Sequence, residues 1–146
     1  MFSGKVELTG TSQGNLGVFE LRDFKYSVNT PVDAATGMAT GKARGSVFEI
    51  DIDIMPKTVL VLQSLLTNET LKGKITFMKP NVAGNNAKYM EIEIEKAHCF
   101  QFEQIFTSVD KAPMTIRLKL SSPKATFTAV DGGIQTSYDN SYSYAK

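Results

Sequence analysis

Several residue types are scarce in this chain, and each scarcity excludes a kind of protein. The 146 residues include one cysteine, one histidine and no tryptophan. A single cysteine, Cys99, cannot form an intrachain disulfide, which suits a reducing compartment. One histidine and one cysteine are also too few for a structural zinc site, which takes about four such ligands. We therefore expect no disulfide framework, no metal centre and no cofactor.

Charge of one sign and long apolar runs are also missing. The formal net charge is +1, which gives no general attraction to nucleic acid or to an acidic membrane surface. No apolar run approaches the length of a membrane span, and the first ten residues, MFSGKVELTG, lack the apolar core of a secretory signal. We expect a chain that is made in the cytosol, binds no nucleic acid and inserts into no membrane. Its export would use a route without a cleaved signal.

What the sequence does contain is period-two alternation of apolar and polar residues, the pattern of half-buried strands. The length and the 42% hydrophobic content fit a single domain over residues 1–146. We expect one more edge strand around Ile134–Tyr138, and then a frayed tail to residue 146. The other predicted strands are Lys5–Thr9, Phe19–Val28, Val47–Ile54, Lys74–Met78, Tyr89–Glu95, Phe100–Phe106, Met114–Ser121 and Ala125–Val130.

Two features interrupt the alternation. The apolar phase slips by one residue within Phe19–Val28, which predicts a bulge or bend near Arg22-Asp23. Helical spacing then follows Pro56, a residue suited to the first position of a helix, and Asn68 is a plausible stop. We predict one helix over about residues 56–67. Its apolar residues share one face: Met55, Val59, Leu62, Leu65 and Leu66.

Half-exposed strands at short spacing with one helix predict a mainly β fold. The architecture we expect is a small antiparallel β-barrel, with two packed sheets and one flanking helix. A long loop over about residues 30–46 is rich in Gly, Ala and Thr. Loops of more than about 12 residues are uncommon in compact domains and are often functional.

The loop contains the stretch TGMATGK, residues 36–42, which is close to a phosphate-binding P-loop. A P-loop needs four residues between its glycines, a Ser or Thr after the lysine, and a helix that follows. Here three residues separate Gly37 from Gly41, Ala43 follows Lys42, and the next segment has strand periodicity. The stretch is therefore interpreted as a connecting loop and not as a nucleotide site.

Catalytic interpretations of other residues are also weak. His98 and Cys99 are neighbours on a predicted strand and should point to opposite faces, so they cannot form a nucleophilic pair. Acidic rows on two strands, at Glu49, Asp51 and Asp53 and at Glu91, Glu93 and Glu95, allow three interpretations. In the first interpretation the rows are solvated strand faces. In the second they pair with Arg117 and Lys119 or with basic residues of another copy. In the third they form a glycosidase pair or a calcium site.

The residues 24–42, FKYSVNTPVDAATGMATGK, resemble the Hcp (TssD) family, the tube protein of bacterial type VI secretion. The resemblance lies in the aromatic-x-aromatic-Ser-Val start, the Pro-x-Asp-x-x-Thr-Gly segment and the Gly-Lys that follows. It extends over the downstream order of strands and helix, from roughly Phe19 to Val130. The pair Arg44-Gly45 is similar to the Arg-Gly of Bacteroidetes-type members, while the tail beyond Val130 matches no family feature.

This resemblance implies a structural protein and not an enzyme. It implies hexameric rings that stack into a hollow tube, with sheath, spike and baseplate proteins as partners and effector proteins in the lumen. The protein would be assembled in the cytoplasm and become extracellular after firing. The loop would contact a neighbouring subunit or ring. The implied interface residues are Thr30, Pro31, Asp33, Thr36, Gly37, Gly41, Lys42 and Arg44.

Two other functions stay open at this point. The same architecture would serve as the tube of a phage-like tail or of an extracellular contractile apparatus. Alternatively, the chain is a small β-barrel enzyme or ligand-binding module that uses the acidic rows. The first alternative also predicts rings, whereas the second predicts a monomer with a deep pocket.

Overall fold

The structure is a computed structural model that describes residues 3–11, 14–29, 44–45, 47–80, 86–106, 108, 114–130 and 132–139. These residues form ten strands and one helix. In chain order they are β1 (Ser3–Gly10), β2 (Gly14–Lys25), β3 (Val28–Asn29), β4 (Arg44–Gly45), β5 (Val47–Asp53), α1 (Thr58–Leu66), β6 (Leu71–Pro80), β7 (Asn86–Ile105), β8 (Thr115–Ser121), β9 (Lys124–Ala129) and β10 (Ile134–Asp139).

Six of the strands close into a barrel. They follow the order β7-β6-β1-β2-β5-β8, and β8 pairs back onto β7, every pairing being antiparallel. Alternate residues of each strand point inward and form one buried core, which includes Val6, Leu8, Phe19, Phe48, Ile50, Ile52, Ile75, Ile92, Ile94, Ile116, Leu118 and Leu120. The predicted mainly β barrel with one helix is confirmed.

The strand β7 is long enough to have different neighbours along its length. Its first half pairs with β6 on one side and β9 on the other, and its second half pairs with β8. The sequence predicted two strands here, Tyr89–Glu95 and Phe100–Phe106, and the structure joins them into one. The register slips by one residue where Lys96 has a φ of 55°, so a bulge and not a loop separates the two runs.

Two bulges shift the phase of β2. One places an extra residue, Arg22, between Leu21 and Asp23 opposite β5, which confirms the bulge predicted from the apolar slip. The other lies opposite β1, where Leu16 is the extra residue and is fully buried. Gly17 follows it with a φ of 127°, a conformation that other residues rarely adopt.

The helix α1 is slightly shorter than predicted and turns a partly different side to the barrel. Asn68 ends it as expected: its φ is 56°, its N–H donates to the carbonyl of Leu65, and the N–H of Glu69 donates to that of Ser64. The side facing the barrel carries Thr58, Val61 and Ser64. Two hydroxyl groups can face the core because each donates to a helix or turn carbonyl.

The predicted apolar face of the helix is therefore buried only in part. Leu65 packs against the core, but Val59 and Leu66 are 65% and 72% exposed, and Met55 is also exposed. The helical spacing is right, but the side turned to the barrel carries Thr58, Val61 and Ser64. No helix in the described ranges has the length and apolarity needed to cross a bilayer.

The hairpin formed by β9 and β10 extends the sheet beyond the barrel. β9 pairs with Met90–Glu95 of β7, and β10 pairs with β9 along its six residues. The strand expected near Ile134–Tyr138 is thus present and forms one end of the strand order. Separately, β3 and β4 form a two-residue ladder that brings the two ends of the long loop together.

Candidate assembly surfaces

The loop residues predicted as an interface lie almost wholly outside the described residues. Arg44 is the exception: its backbone pairs with Asn29, so the chain leaves and re-enters the barrel at one place. We call these two short strands, Val28–Asn29 and Arg44–Gly45, the loop root. The strand β5 follows the root directly, which confirms that no helix follows the P-loop-like stretch. The other predicted residues, outside the described part, are Thr30, Pro31, Asp33, Thr36, Gly37, Gly41 and Lys42.

An aromatic cluster lies where β2 runs into the loop root. Phe24 contacts Phe77 edge-on, with ring centroids 5.5 Å apart, and lies 6.4 Å from Phe48. The next aromatic residue along the chain, Tyr26, stacks on Phe48 at 5.6 Å and on Phe127 of β9 at 5.2 Å. The ring series therefore runs from the barrel, past the loop root, to the β9–β10 hairpin.

The sequence placed Phe24 and Tyr26 on the apolar face of the predicted strand Phe19–Val28 and in the family motif, but it did not predict their ring partners. The signal that was available is the aromatic-x-aromatic spacing. Residues two apart on a strand share one face, so such a pair can extend a cluster along that face. Their distant partner, Phe127, lies about a hundred positions further along the chain, and only the topology brings it to Tyr26.

The edge strand β10 presents an exposed backbone and little protection. Its sequence, IQTSYD, holds no proline or lysine, the residues that commonly blunt an edge. Ile134 is 69% exposed. Among the described strands none lies beyond β10, which forms one end of the strand order. Such an edge is suited to pairing with a further chain.

The acidic row of β5 is paired within the chain. Arg117 on β8 contacts Asp51 through two nitrogens, at 3.1 and 3.4 Å, and this carboxylate raises the pKa of the guanidinium. Glu49 lies 3.6 Å from both Lys119 and Lys25. The interpretation that this row faces Arg117 and Lys119 is confirmed. The pairs are partly exposed, so solvent screens the attraction between their charges.

Lysines of β7 itself and of its neighbouring strands lie beside the acidic row of β7. Glu91 is 3.0 Å from Lys88 and 3.9 Å from Lys74, and Glu95 is 3.2 Å from Lys124. These cations are all lysines, which make no planar two-nitrogen contact of the kind that Arg117 makes. Pairing of either row with another copy stays a prediction.

The surroundings of the β5 row bear on the catalytic interpretation. A hollow of 260 Å³ lies over this row, and four of its wall residues form ion pairs, Asp51 with Arg117 and Glu49 with Lys119. Within the described ranges no three acidic, histidine or cysteine side chains are grouped as a metal site would require. The glycosidase and calcium interpretations therefore gain no support from the described geometry.

His98 and Cys99 point to opposite faces of β7, as predicted. Cys99 is buried, whereas His98 is exposed. Burial raises the pKa of the Cys99 thiol to about 11, so the thiolate needed for nucleophilic chemistry is scarce near neutral pH. The interpretation of one buried thiol and one surface imidazole is confirmed.

Solved structures of Hcp proteins share this fold. A crystal structure of an Hcp protein is similar with a TM-score of 0.86 at 15% identity, covering 94% of this chain and 98% of its own. The secreted protein Hcp3 from Pseudomonas aeruginosa is similar with a TM-score of 0.76 at 17% identity, and the match covers 95% of this chain and 98% of Hcp3. Hcp1 from Flavobacterium johnsoniae is similar with a TM-score of 0.67 at 20% identity, and the match covers 90% of this chain and 97% of that Hcp1. At these identities the likeness shows the fold.

The sequence itself settles the family. The family model for hemolysin coregulated protein Hcp (TssD) matches residues 5–132. The chain therefore belongs to the Hcp (TssD) family, and the resemblance read from residues 24–42 is confirmed. A search of curated proteins found no match. The Bacteroidetes-type branch suggested by Arg44-Gly45 stays a prediction, because a 20% identical Flavobacterium structure bears on the fold alone.

Proposed function

We propose that this chain is the tube protein of a type VI secretion apparatus and that it assembles into hexameric rings which stack into a hollow tube. The observation that carries the proposal is the Hcp (TssD) family match over residues 5–132. The barrel fold shared with Hcp structures supports it. The role we propose is structural, and the pairing of Asp51 with Arg117 and of Glu49 with Lys119 within the chain is consistent with it.

Two surfaces of the chain are suited to this role. The edge strand β10 offers backbone groups for lateral contact with the next copy, and a closed ring leaves no copy with an open edge. The loop that leaves at Asn29 and returns at Arg44 supplies contacts to a neighbouring subunit or ring. Stacking of rings is head to tail and therefore open-ended, which produces a filament. The interface residues we propose in the loop are Thr30, Pro31, Asp33, Thr36, Gly37, Gly41, Lys42 and Arg44.

The remaining parts of the proposal follow from the family. Residues 1–146 act as one domain, sheath, spike and baseplate proteins are the partners of the tube, and effector proteins occupy the lumen. The protein is assembled in the cytoplasm and is released when the apparatus fires. A tube of a phage-like or extracellular contractile system would use the same surfaces, so assembly alone does not separate these machines.

Light scattering behind a sizing column, over a range of protein concentrations, tests the proposal, with negative-stain images of the peak. We expect a hexamer that appears as annuli, and tubes at high concentration. A chain that lacks residues 34–43 should fold with an unchanged circular dichroism spectrum and fail to stack. A strict monomer at high concentration would contradict ring formation, and normal tubes from the shortened chain would contradict the role of the loop.

A further inference from the structure

The side chain of Tyr26 is placed between two parts of the molecule that do not pair with each other. One of its ring partners, Phe48, is on the barrel strand β5, and the other, Phe127, is on β9 of the hairpin. β5 pairs with β2 and β8, whereas β9 pairs with β7 and β10. Both stacks are close to parallel, with interplanar angles of 20° and 24°. Tyr26 therefore joins barrel and hairpin through its ring.

Tyr26 lies close to the loop root in the chain, so its ring contacts bear on how the root is held. The residue lies between β2 and the loop root, which begins two positions later at Val28. Among the described residues, the root pairs through a ladder of two residue pairs, Val28 with Gly45 and Asn29 with Arg44. So short a ladder is marginal by itself, because isolated two-stranded pairs have little stability in water. A ring contact directly beside this ladder therefore adds to what fixes the direction in which the chain leaves the barrel.

A role as ordinary core filling does not account for Tyr26. Its residue surface is 36% exposed, whereas Phe48 beneath it is 1% exposed. Further along the series, Phe127 contacts Tyr138 on the edge strand at 6.2 Å, and the Tyr138 hydroxyl donates to the carbonyl of Ser122 at 3.0 Å. The hairpin that Tyr26 contacts through Phe127 is thus itself hydrogen-bonded to Ser122, directly after β8.

We propose that Tyr26 is a positioning residue for assembly: by stacking between Phe48 and Phe127 it clamps the loop root against the β9–β10 hairpin and sets the direction in which the loop leaves the subunit. This inference rests on the proposed tube function for its consequence, which is ring stacking. The clamp itself is a property of the single chain and can be measured whether or not the chain assembles.

The first test is hydrogen exchange of the loop-root amides in Tyr26→Ala, Tyr26→Leu and Tyr26→Phe. We expect the amides of Val28, Asn29, Arg44 and Gly45 to exchange at least about tenfold faster in the Ala and Leu variants, and amides of β1 and β6 to be unchanged. Tyr26→Phe keeps the ring and should behave as wild type. Tyr26→Leu keeps apolar volume without a ring, so it separates loss of stacking from general unfolding.

A matched control is Tyr89→Ala, which removes another partly exposed tyrosine, on β7, that lies beside Lys79 and is not among the described ring partners of Tyr26, which are Phe24, Phe48 and Phe127. This variant should leave root exchange at the wild-type rate. Unchanged root exchange in both Tyr26→Ala and Tyr26→Leu would overturn the clamp. Equally faster exchange in β1 and β6 would also overturn it, because the effect would then be loss of the whole fold.

The second test addresses the consequence for assembly. We expect Tyr26→Ala to form rings by light scattering and to need at least about ten times more protein to form sedimenting tubes, with recovery in Tyr26→Phe. Tubes at the wild-type concentration from Tyr26→Ala would overturn the assembly role while the exchange result stands. Absence of rings from the wild-type chain is a different outcome, because it contradicts the proposed tube function and leaves the exchange test of the clamp in force.

Discussion

The closed barrel and the β9–β10 hairpin are built from the same alternating strand pattern, yet they hold their apolar residues very differently. Ile50 in the barrel is fully buried between two paired neighbours, β2 and β8. Ile134 in the hairpin is 69% exposed on a strand with one neighbour. Alternation alone therefore does not make a core. Closure of the sheet makes the core, and the part left outside the closure remains available for other chains.

The hairpin is attached to the barrel by a small number of specific contacts. Besides the β7–β9 pairing, the buried Ser122 hydroxyl lies 2.6 Å from the carbonyl oxygen of Glu95 and 2.7 Å from that of Lys124. The Tyr138 hydroxyl donates to the carbonyl of Ser122. These bonds hold the turn between β8 and β9 in place. The hairpin is thus held by polar contacts as well as apolar ones, since Ala125 belongs to the buried core and Phe127 packs against it.

The same truncation in the two regions should give the largest contrast. We expect Ile50→Ala to lower the free energy of unfolding by about 2–5 kcal/mol, because it leaves a cavity in a closed core. Ile134→Ala, at the exposed edge, should change it by no more than about 0.5 kcal/mol. Urea unfolding of both variants under conditions where the chain is monomeric measures the difference. Similar losses from both substitutions would show that the hairpin is as much a part of the core as the barrel.

Raising the pH should destabilise the barrel through Cys99, which lies on the half of β7 that pairs with β8. The pKa of this thiol is raised from 9.0 to about 11 in the folded chain. The unfolded chain therefore loses this proton first, and stability falls as the pH rises from about 9 to about 11. We expect a loss of about 2 kcal/mol by pH 11 from this group.

Other groups titrate over the same range, so the measurement needs a variant without the thiol. Urea unfolding of wild type and Cys99→Ala at several pH values from 8 to 11 gives the difference that belongs to Cys99. Below pH 8 this difference should be constant. If the stability difference between wild type and Cys99→Ala stays constant up to pH 11, water reaches the thiol. The barrel is then less closed around Cys99 than its buried position indicates.

Much of the barrel could be predicted from sequence because each strand carries its own period-two pattern. The bulge at Arg22 was visible as a phase slip, and the helix stop at Asn68 as a residue that tolerates positive φ. The continuity of β7 was not visible, because the extra residue at Lys96 breaks the alternation locally while the strand goes on. The sequence also could not tell which side of α1 is buried, since Thr58 and Ser64 face the core only when their hydroxyls find carbonyl partners.

The candidate site was predictable in position but not in mechanism. A long glycine-rich segment and the family motif indicated the loop, and the structure describes only its root. The contact that holds the root depends on Phe127, which no local pattern relates to Tyr26. Long-range pairs of this kind follow from topology. The sequence indicates the strands that carry Tyr26 and Phe127, but only the strand order of the folded chain brings the two rings together.

The smallest effect we expect comes from removing one hydroxyl at the junction of the two regions. Tyr138→Phe keeps the ring against Phe127 and deletes the hydrogen bond to the carbonyl of Ser122. The loss should be about 1 kcal/mol, because a single hydrogen bond contributes about 0.5–1.5 kcal/mol net. Exchange of the β10 amides should become faster, while that of β1 and β6 stays as in wild type. A global loss of protection would mean that hairpin and barrel unfold as one cooperative unit, and the contrast between them would then be one of exposure and not of stability.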